Sequence, residues 1–198
     1  ASSFARSISS TITAIAIVGC GGASSEGPKG PPALTNTIAF VSDRTGAQEL
    51  HVMHGDGSVI QKIATMAGHK TDPAISPDGR KIVFTVGDID AGSASPLWVV
   101  SSDGTGLTQL TTDGANDYRP SWSPDGSQIA FVSTRDGNAE IYVMNADGSN
   151  QTNITNDPAH DDSPSWSPSG NTILFDSDRN ECTGTQVFSM TSAGGSVT

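Results

Sequence analysis

Residues 121–149 read SWSPDGSQIAFVSTRDGNAEIYVMNADGS, and altered copies of this stretch recur along the 198-residue chain. The equivalent phenylalanines are separated by 44, 47 and 44 residues, and they are Phe40, Phe84, Phe131 and Phe175. Repeats of this length are typical of propellers and solenoids, in which each copy packs on its neighbours. The sequence therefore predicts about four structural units in tandem.

Each copy contains short runs in which apolar and polar residues alternate, such as Ile82, Phe84 and Val86. Alternation buries one face of a strand, and the Asp-Gly pairs between runs accept the positive φ angles of tight hairpin turns. One copy is predicted to be a four-stranded antiparallel blade, with strands near residues 118–123, 128–133, 140–145 and 151–155. The predicted fold is all-β, a β-propeller of such blades.

Three linked motifs carry a family resemblance: the Trp-Ser-Pro-Asp-Gly turn at 122–126, the Ile-Ala-Phe-Val-Ser strand at 129–133 and the hairpin at 141–149. They resemble the WD40-like repeats of the TolB propeller family, over roughly residues 36–198. The resemblance implies a propeller fold. It implies less about function, because such repeats occur in binding scaffolds, in propellers attached to enzymes and in uncharacterised secreted proteins.

The first and last blades are predicted to be incomplete. The repeats begin at a second strand, residues 37–42, and stop near a third strand, residues 185–190, so the strands fall two short of four full blades. An unpaired edge strand exposes backbone donors and acceptors and invites pairing. Three arrangements stay open: a truncated larger ring, a four-bladed ring closed by the N-terminus, and a protomer completed by a neighbour.

The N-terminal segment, residues 1–22, has two interpretations. Arg6, the uncharged run at 8–18 and the lipobox-like Ile-Val-Gly-Cys at 17–20 resemble a bacterial lipoprotein signal, which implies cleavage before Cys20 and lipidation of that cysteine. If the segment is retained, its β-branched content favours a strand that joins an open blade edge, in its own chain or in a neighbour. The strand-donating residues would be Ile8, Ile12, Ile15, Ile17 and Val18.

Domain boundaries and covalent modifications follow from the same stretch of sequence. A Ser-, Gly- and Pro-rich linker at 23–35 precedes one repeat domain at 36–198. In an oxidising compartment, a disulfide between Cys20 and Cys182 is the alternative to lipidation. Asn150 and Asn153 each begin an N-glycosylation pattern, which makes both of them candidate glycan sites.

Charge and composition fit an exported protein. The chain has 10 basic and 21 acidic residues and a net charge of −11. Its surface should therefore repel nucleic acid and anionic lipid. We expect no nucleic-acid partner, and membrane contact only through a lipid on Cys20.

The sequence shows no catalytic constellation, and no cofactor is expected. Four acidic residues precede the predicted inner strands, so ring closure would gather them at one channel mouth: Asp72, Asp117, Asp161 and Asp162. Clustered carboxylates suit a hard cation such as calcium, although aspartates also commonly cap turns. The repeated arginines Arg44, Arg135 and Arg179 are predicted to hold hairpins, and Trp122 and Trp166 to pack between blades.

These features predict a non-catalytic exported β-propeller that acts as a protein–protein interaction scaffold. Its expected location is the bacterial periplasm, the outer membrane as a lipoprotein, or the extracellular surface. One alternative is an extracellular filament whose protomers exchange N-terminal strands. The other is an enzyme-associated propeller that acts on peptides or sugars. The expected partner is a protein or further copies of the same chain.

Overall fold

The computed structural model describes residues 16–17, 36–43, 46–58, 60–87, 94–179, 184–195 and 197–198. Within these ranges all regular secondary structure is β-strand, in four antiparallel sheets that follow one another along the chain. The predicted all-β architecture of blade-like sheets is confirmed. None of the described residues belongs to a helix long and apolar enough to cross a membrane.

The four sheets are the blades. Blade one contains β1 (Ala16–Ile17), β2 (Thr37–Ser42), β3 (Glu49–His54) and β4 (Gln61–Lys62). Blade two contains β5 (Lys70–Ile75), β6 (Lys81–Val86), β7 (Leu97–Ser101) and β8 (Thr108–Gln109). Blade three contains β9 (Asp117–Trp122), β10 (Gln128–Ser133), β11 (Glu140–Asn145) and β12 (Thr152–Asn153). Blade four contains β13 (Asp161–Trp166), β14 (Thr172–Ser177) and β15 (Gln186–Thr191).

The Ser-Pro-Asp-Gly motif makes the turn between the first two strands of a blade. In blade three, the Asp125 carboxylate accepts bonds from the Ser123 hydroxyl at 2.6 Å and from the Ser127 backbone N–H at 3.0 Å. Gly126 has a φ of 71°, a backbone conformation that glycine adopts without steric cost. The motif therefore reverses the chain and sets the register of β10 on β9.

Blade one takes its inner strand from the N-terminal segment of the same chain. Ala16 pairs with Ala39, and Ile17 pairs with Ile38, so β1 holds the place that β5, β9 and β13 hold in their blades. Among the proposed strand-donating residues, Ile8, Ile12, Ile15 and Val18 lie outside the described residues. At the other end of the chain, Thr198 exchanges two backbone bonds with Ser189, at 2.8 and 2.9 Å.

The core lies in the junctions between blades. Three apolar clusters join blade one to two, two to three and three to four, and each contains one repeat phenylalanine: Phe84, Phe131 and Phe175. Trp122 and Trp166 cross two of these junctions, since their indole N–H groups donate to Ala74 O and Ser121 O, both at 3.1 Å. The predicted packing of these tryptophans between blades is confirmed.

Candidate functional site

Each of the inner strands β5, β9 and β13 carries a non-glycine residue in the left-handed region, directly before a proline. These residues are Asp72, Arg119 and Ser163, with φ angles of 49°, 50° and 55°. At each of them two inner-strand residues lie opposite one repeat phenylalanine, which is the geometry of a β-bulge. A left-handed non-glycine residue costs about 1–3 kcal/mol, and such strain persists mainly where it serves a function.

The bulges bring polar side chains of neighbouring blades together. The Arg119 guanidinium lies 2.5 Å from the Asp162 carboxylate and donates to the Ser163 hydroxyl at 3.0 Å. Its Cζ atom lies 5.9 Å from the centre of the Tyr118 ring. We call Asp72, Tyr118, Arg119, Asp162 and Ser163 the inner-strand cluster.

Asp72 is the member of the inner-strand cluster that comes from blade two, and it interacts with Arg119 and Asp162. Burial raises the pKa of the Asp72 carboxyl; bonds from Thr71 and from the Arg119 backbone N–H offset part of that effect, and the Asp162 charge adds to it. Burial also raises the pKa of Tyr118, and the Asp162 carboxylate adds to this rise. Although burial opposes the charge on Arg119, Asp162 raises the pKa of its guanidinium. The cluster is therefore a coupled set of charges from three blades.

The inner-strand cluster is equipped for recognition. The Arg119 side chain is 48% exposed and that of Asp162 is 32% exposed, so both can reach a ligand. Together they offer guanidinium donors, carboxylate acceptors, a hydroxyl and an aromatic ring. Such groups bond the amides and side chains of a peptide without covalent chemistry.

The sequence predicts one shared repeat position for the four aspartates Asp72, Asp117, Asp161 and Asp162. In the structure they occupy different positions. Asp117 and Asp161 are the first residues of β9 and β13, whereas Asp72 is the third residue of β5 and corresponds to Arg119 and Ser163. Asp72 differs in position because the inner strand of blade two begins with Lys70 instead of an aspartate. All four residues lie within strands rather than before them.

Asp117 and Asp161 hold the repeated arginines. Both aspartates are fully buried. Arg179 Nη2 donates to the two Asp161 oxygens, each at 2.9 Å, and Arg135 Nη2 donates to Asp117 at 3.2 Å. The guanidinium of Arg135 also lies 4.4 Å from the centre of the Tyr142 ring. These contacts confirm the predicted hairpin-holding role of both arginines; Arg44 lies outside the described residues.

The described residues also bear on the predicted calcium site. Among them, no three His, Cys, Asp or Glu side chains are grouped so that they could hold a metal ion. Arg119 pairs with Asp162, while Arg135 and Arg179 pair with Asp117 and Asp161. The four aspartates predicted at one channel mouth thus belong to two groups. Asp72 and Asp162 lie in the inner-strand cluster, and Asp117 and Asp161 bind the repeated arginines. Calcium binding stays a prediction.

The residues proposed for covalent modification are only partly described. Cys20 and Cys182 lie outside the described residues. Asn150 is exposed and has a φ of 56°. The Asn153 side chain donates to Asp136 at 2.9 Å and accepts the Thr155 backbone N–H at 3.1 Å. Glycosylation of either asparagine stays a prediction.

Blades one and two are joined by an ion pair that the sequence reasoning missed. Lys70 is 1% exposed, and its Nζ atom lies 2.9 Å from Glu49, which also binds Lys62 at 2.8 Å. Although burial raises the pKa of the Glu49 carboxyl, the bonds from Lys62 and Lys70 lower it by more. Lys70 stands where β9 and β13 have Asp117 and Asp161. The charge at this position is therefore reversed in blade two.

Two equivalent polar grooves open beside the arginine contacts, with volumes of 380 and 650 Å³. The groove beside Arg179 has His160 and Asp178 where the groove beside Arg135 has Asn116 and Thr134. The corresponding pairs of lining residues are Asp113 and Asp157, Asn116 and His160, Thr134 and Asp178, and Arg135 and Arg179. The loops at this end of the blades thus form a repeated surface whose side chains differ from junction to junction.

A family model and solved structures resemble this chain. The family model, described as the TolB beta propeller domain, matches residues 64–152 and 117–198. No curated protein sequence matched the chain. The protein described as TolB from Agrobacterium tumefaciens superposes with a TM-score of 0.72 at 26% identity, over 82% of this chain and 60% of its own.

Two further structures have the same fold. TolB from Acinetobacter baumannii superposes with a TM-score of 0.70 at 22% identity, over 82% of this chain and 40% of its own. The oligogalacturonate lyase from Vibrio parahaemolyticus gives a TM-score of 0.64 at 13% identity, over 82% of this chain and 48% of its own. Likeness at these identities is a likeness of fold alone. The chain spans 60% and 40% of the two TolB chains.

Proposed function

The chain belongs to the TolB β-propeller domain family, and from this membership we propose that it is a non-catalytic, exported scaffold that binds a partner protein at the inner-strand cluster. The observation that carries the proposal is the repeated bulge at Asp72, Arg119 and Ser163. Three strained residues at one position of the repeat present a carboxylate (Asp72), a guanidinium (Arg119) and a hydroxyl (Ser163) along neighbouring inner strands.

The partner in this proposal is a polypeptide segment that lies along the inner strands. Arg119 would donate to its carbonyl or carboxylate oxygens, and Asp72 would accept its amide or ammonium protons. The two polar grooves would take side chains from the same partner where it extends over the loops. Because loops that differ on a repeated scaffold commonly set specificity, the His160 groove and the Asn116 groove would select different side chains.

The test is site-specific photo-crosslinking in the organism that makes the protein. We expect p-benzoylphenylalanine at position 163 to give light-dependent adducts of one or a few discrete masses. The control places the same residue at position 103, in an exposed turn of blade two. Equal adducts at both positions, or none at position 163, would contradict the proposal.

Variants at Arg119 refine this test. Arg119→Lys keeps the positive charge but loses the planar guanidinium that pairs with Asp162; the Ser163 hydroxyl is already replaced by the photo-reactive residue. Arg119→Glu reverses the charge and adds repulsion. We expect the adduct at position 163 to weaken with Arg119→Lys and to disappear with Arg119→Glu. An adduct that is indifferent to both substitutions would mean that the cluster does not recognise the partner.

Export and anchoring are tested by the intact mass of the protein from its natural source. The proposal places the protein in the periplasm, at the outer membrane through a lipid on Cys20, or at the cell surface. Cleavage before Cys20 would remove β1 and leave blade one with three strands, because β1 consists of Ala16–Ile17. A mass that begins at a lipidated Cys20 would support anchoring. A mass that includes residues 1–19 would show that β1 is kept and that the lipid anchor is absent.

A further inference from the structure

A pocket with a volume of 230 Å³ opens between blades two and three, beside the outer strand β8. Val99 and Leu110 of blade two form its apolar wall, and Ala146 of blade three lines the opposite side. We call the cavity between these residues the rim pocket. Blades two and three each already pack against another blade on both sides, so an additional blade would not cover this junction.

Two opposite charges flank the rim pocket. Lys81, the first residue of β6, lines it from blade two, and Asp147 lines it from blade three. Both residues are exposed, and no ion pair among the described residues includes either of them. Bonds from the Ser149 hydroxyl and backbone N–H lower the pKa of the Asp147 carboxyl, and the Lys81 charge lowers it further. The pocket therefore presents an ammonium group and a carboxylate that are not bonded to each other.

This pair of charges is particular to one junction. At the equivalent junction between blades three and four, Gln128 stands where blade two has Lys81. Ala193 stands there where blade three has Asp147. The fold of the repeat requires neither charge, because the junction between blades three and four forms without them.

A glycine keeps the rim pocket open. Gly106 lines it, and Asn150 is the counterpart of Gly106 in blade three. The two backbones match, with φ angles of 66° and 56°. A Cβ atom at position 106 would lie 3.4 Å from the Ser101 hydroxyl oxygen, which is an ordinary contact. Because Ser101 also lines the pocket, an asparagine at position 106 would occupy part of it without straining the turn.

We infer that the rim pocket binds a free aliphatic α-amino acid, such as leucine, as its zwitterion. The aliphatic side chain would contact Val99 and Leu110. The carboxylate would accept from the Lys81 ammonium group, and the amino group would donate to Asp147. Pockets for drug-sized ligands measure about 300–1,000 Å³. The 230 Å³ of the rim pocket suits a smaller molecule with one side chain.

The probe is leucine, added to the full chain while the methyl NMR signals of Val99 and Leu110 are followed. Glycine carries the same two charges without a side chain and should bind about tenfold more weakly, because it buries no apolar group. N-acetyl-leucine lacks the ammonium group, and leucinamide lacks the carboxylate. Each should bind about two- to fivefold more weakly than leucine, as expected for the loss of one exposed ion pair.

Variants assign each contact to its residue. Asp147→Asn should abolish the preference for leucine over N-acetyl-leucine. The matched control is Asp103→Asn, which removes the same charge from the equivalent turn of blade two and should leave that preference unchanged. Lys81→Gln should abolish the preference for leucine over leucinamide. Gly106→Asn should remove the methyl shifts, and an unchanged unfolding midpoint would show that this variant is folded.

Several results would overturn the inference. They are no methyl shifts at tens of millimolar leucine, shifts centred outside the pocket, equal binding of glycine and leucine, and a Gly106→Asn variant that binds leucine like the wild type. An Asp103→Asn variant that loses the preference as fully as Asp147→Asn would also overturn it. If N-acetyl-leucinamide, which has neither charge, bound as tightly as leucine, the pocket would take an apolar side chain of a partner protein instead. The rim pocket shares no residue with the inner-strand cluster, so these results do not depend on the adduct at position 163.

Discussion

Blade three and blade four are built from almost the same repeat, yet their second and third strands are in different environments. In blade three, Ala130 and Ile141 are 0% exposed because blade four covers them. In blade four, the equivalent Leu174 and Val187 are 44% and 69% exposed. The alternating pattern therefore specifies the strand, whereas the neighbouring blade determines how much each side chain stabilises the fold.

The largest expected difference between the two blades comes from truncation at one repeat position. Ile141→Ala should lower the free energy of unfolding by about 2–5 kcal/mol, because it leaves a cavity in a closed junction. Val187→Ala should change it by less than about 0.5 kcal/mol, because that side chain is already in contact with solvent. Urea unfolding followed by circular dichroism measures both. Similar losses in the two variants would mean that the face of blade four is covered in solution.

The arginine contacts give the next largest effect. Arg179 Nη2 binds both oxygens of Asp161, and its other carboxylate, Asp157, is 3.9 Å away. Arg135 retains Asp113 at 2.6 Å and Gln151 at 2.7 Å if Asp117 is lost. We expect Asp161→Asn to cost about 2–3 kcal/mol of unfolding free energy. Asp117→Asn should cost less, because burial already disfavours the ionised form of Asp117. The reverse order in urea unfolding would contradict this assignment.

The pH dependence of stability gives a second test of the contact between Asp117 and Arg135. Burial raises the pKa of this carboxyl above 3.8, and the bonds from Ser133 and Thr111 offset only part of the rise. The folded state then binds the proton more tightly than the unfolded state, so ionisation of Asp117 reduces stability as pH increases through the window above 3.8. Asp117→Asn should abolish this decrease in unfolding midpoints measured from about pH 4 to pH 7. An unchanged slope would show that Asp117 is not its source.

The tryptophans provide a smaller comparison. Each indole N–H makes one bond of 3.1 Å to a carbonyl of the preceding blade. Trp122 is 8% exposed, whereas Trp166 is half-buried. Trp122→Phe should cost about 1–2 kcal/mol, and Trp166→Phe about 0.5–1 kcal/mol, because water can replace the second bond more easily. Equal costs in thermal unfolding would mean that the two junctions are equally closed.

The turns should show the smallest effect, limited to acid. Asp125 has a pKa lowered to about 2, because the Ser123 hydroxyl and Ser127 donate to its carboxylate. The contribution of Asp125 to the free energy of unfolding is present above pH 3.8 and is lost as the pH falls toward 2. Blade four has Ser169 at the equivalent place. Asp125→Asn should reduce the acid sensitivity of the unfolding midpoint, and Ser169→Asp should increase it. A Ser169→Asp variant with the wild-type acid profile would argue against this turn chemistry.

The repeat was predictable because its signals are local. The 44- and 47-residue spacing of phenylalanines, the Asp-Gly turns and the alternation together located the strands to within a few residues. Each of these signals arises from a turn or a strand face within one copy. The packing of Trp122 and Trp166 also followed, because a large apolar residue on an inner strand has only the neighbouring blade to pack against.

The inner-strand cluster was less predictable because it depends on contacts between copies. Arg119 and Ser163 meet only when blades three and four pack together, and they are 44 residues apart in sequence. A local signal was present but was not used: each bulge places a residue before a proline, at Pro73, Pro120 and Pro164. A proline cannot donate to the sheet ladder, so it marks an interruption in an inner strand.

Lys70 has a consequence for the order in which the blades assemble. Propeller blades share one shape, so a blade could dock beside the wrong neighbour during folding. Blade one presents Glu49 to the inner strand that follows it, and only β5 begins with a lysine; β9 and β13 begin with aspartates. If β9 or β13 docked there, Glu49 would lose its buried lysine partner and keep only Lys62. The Glu49–Lys70 pair thus favours the docking of blade two beside blade one.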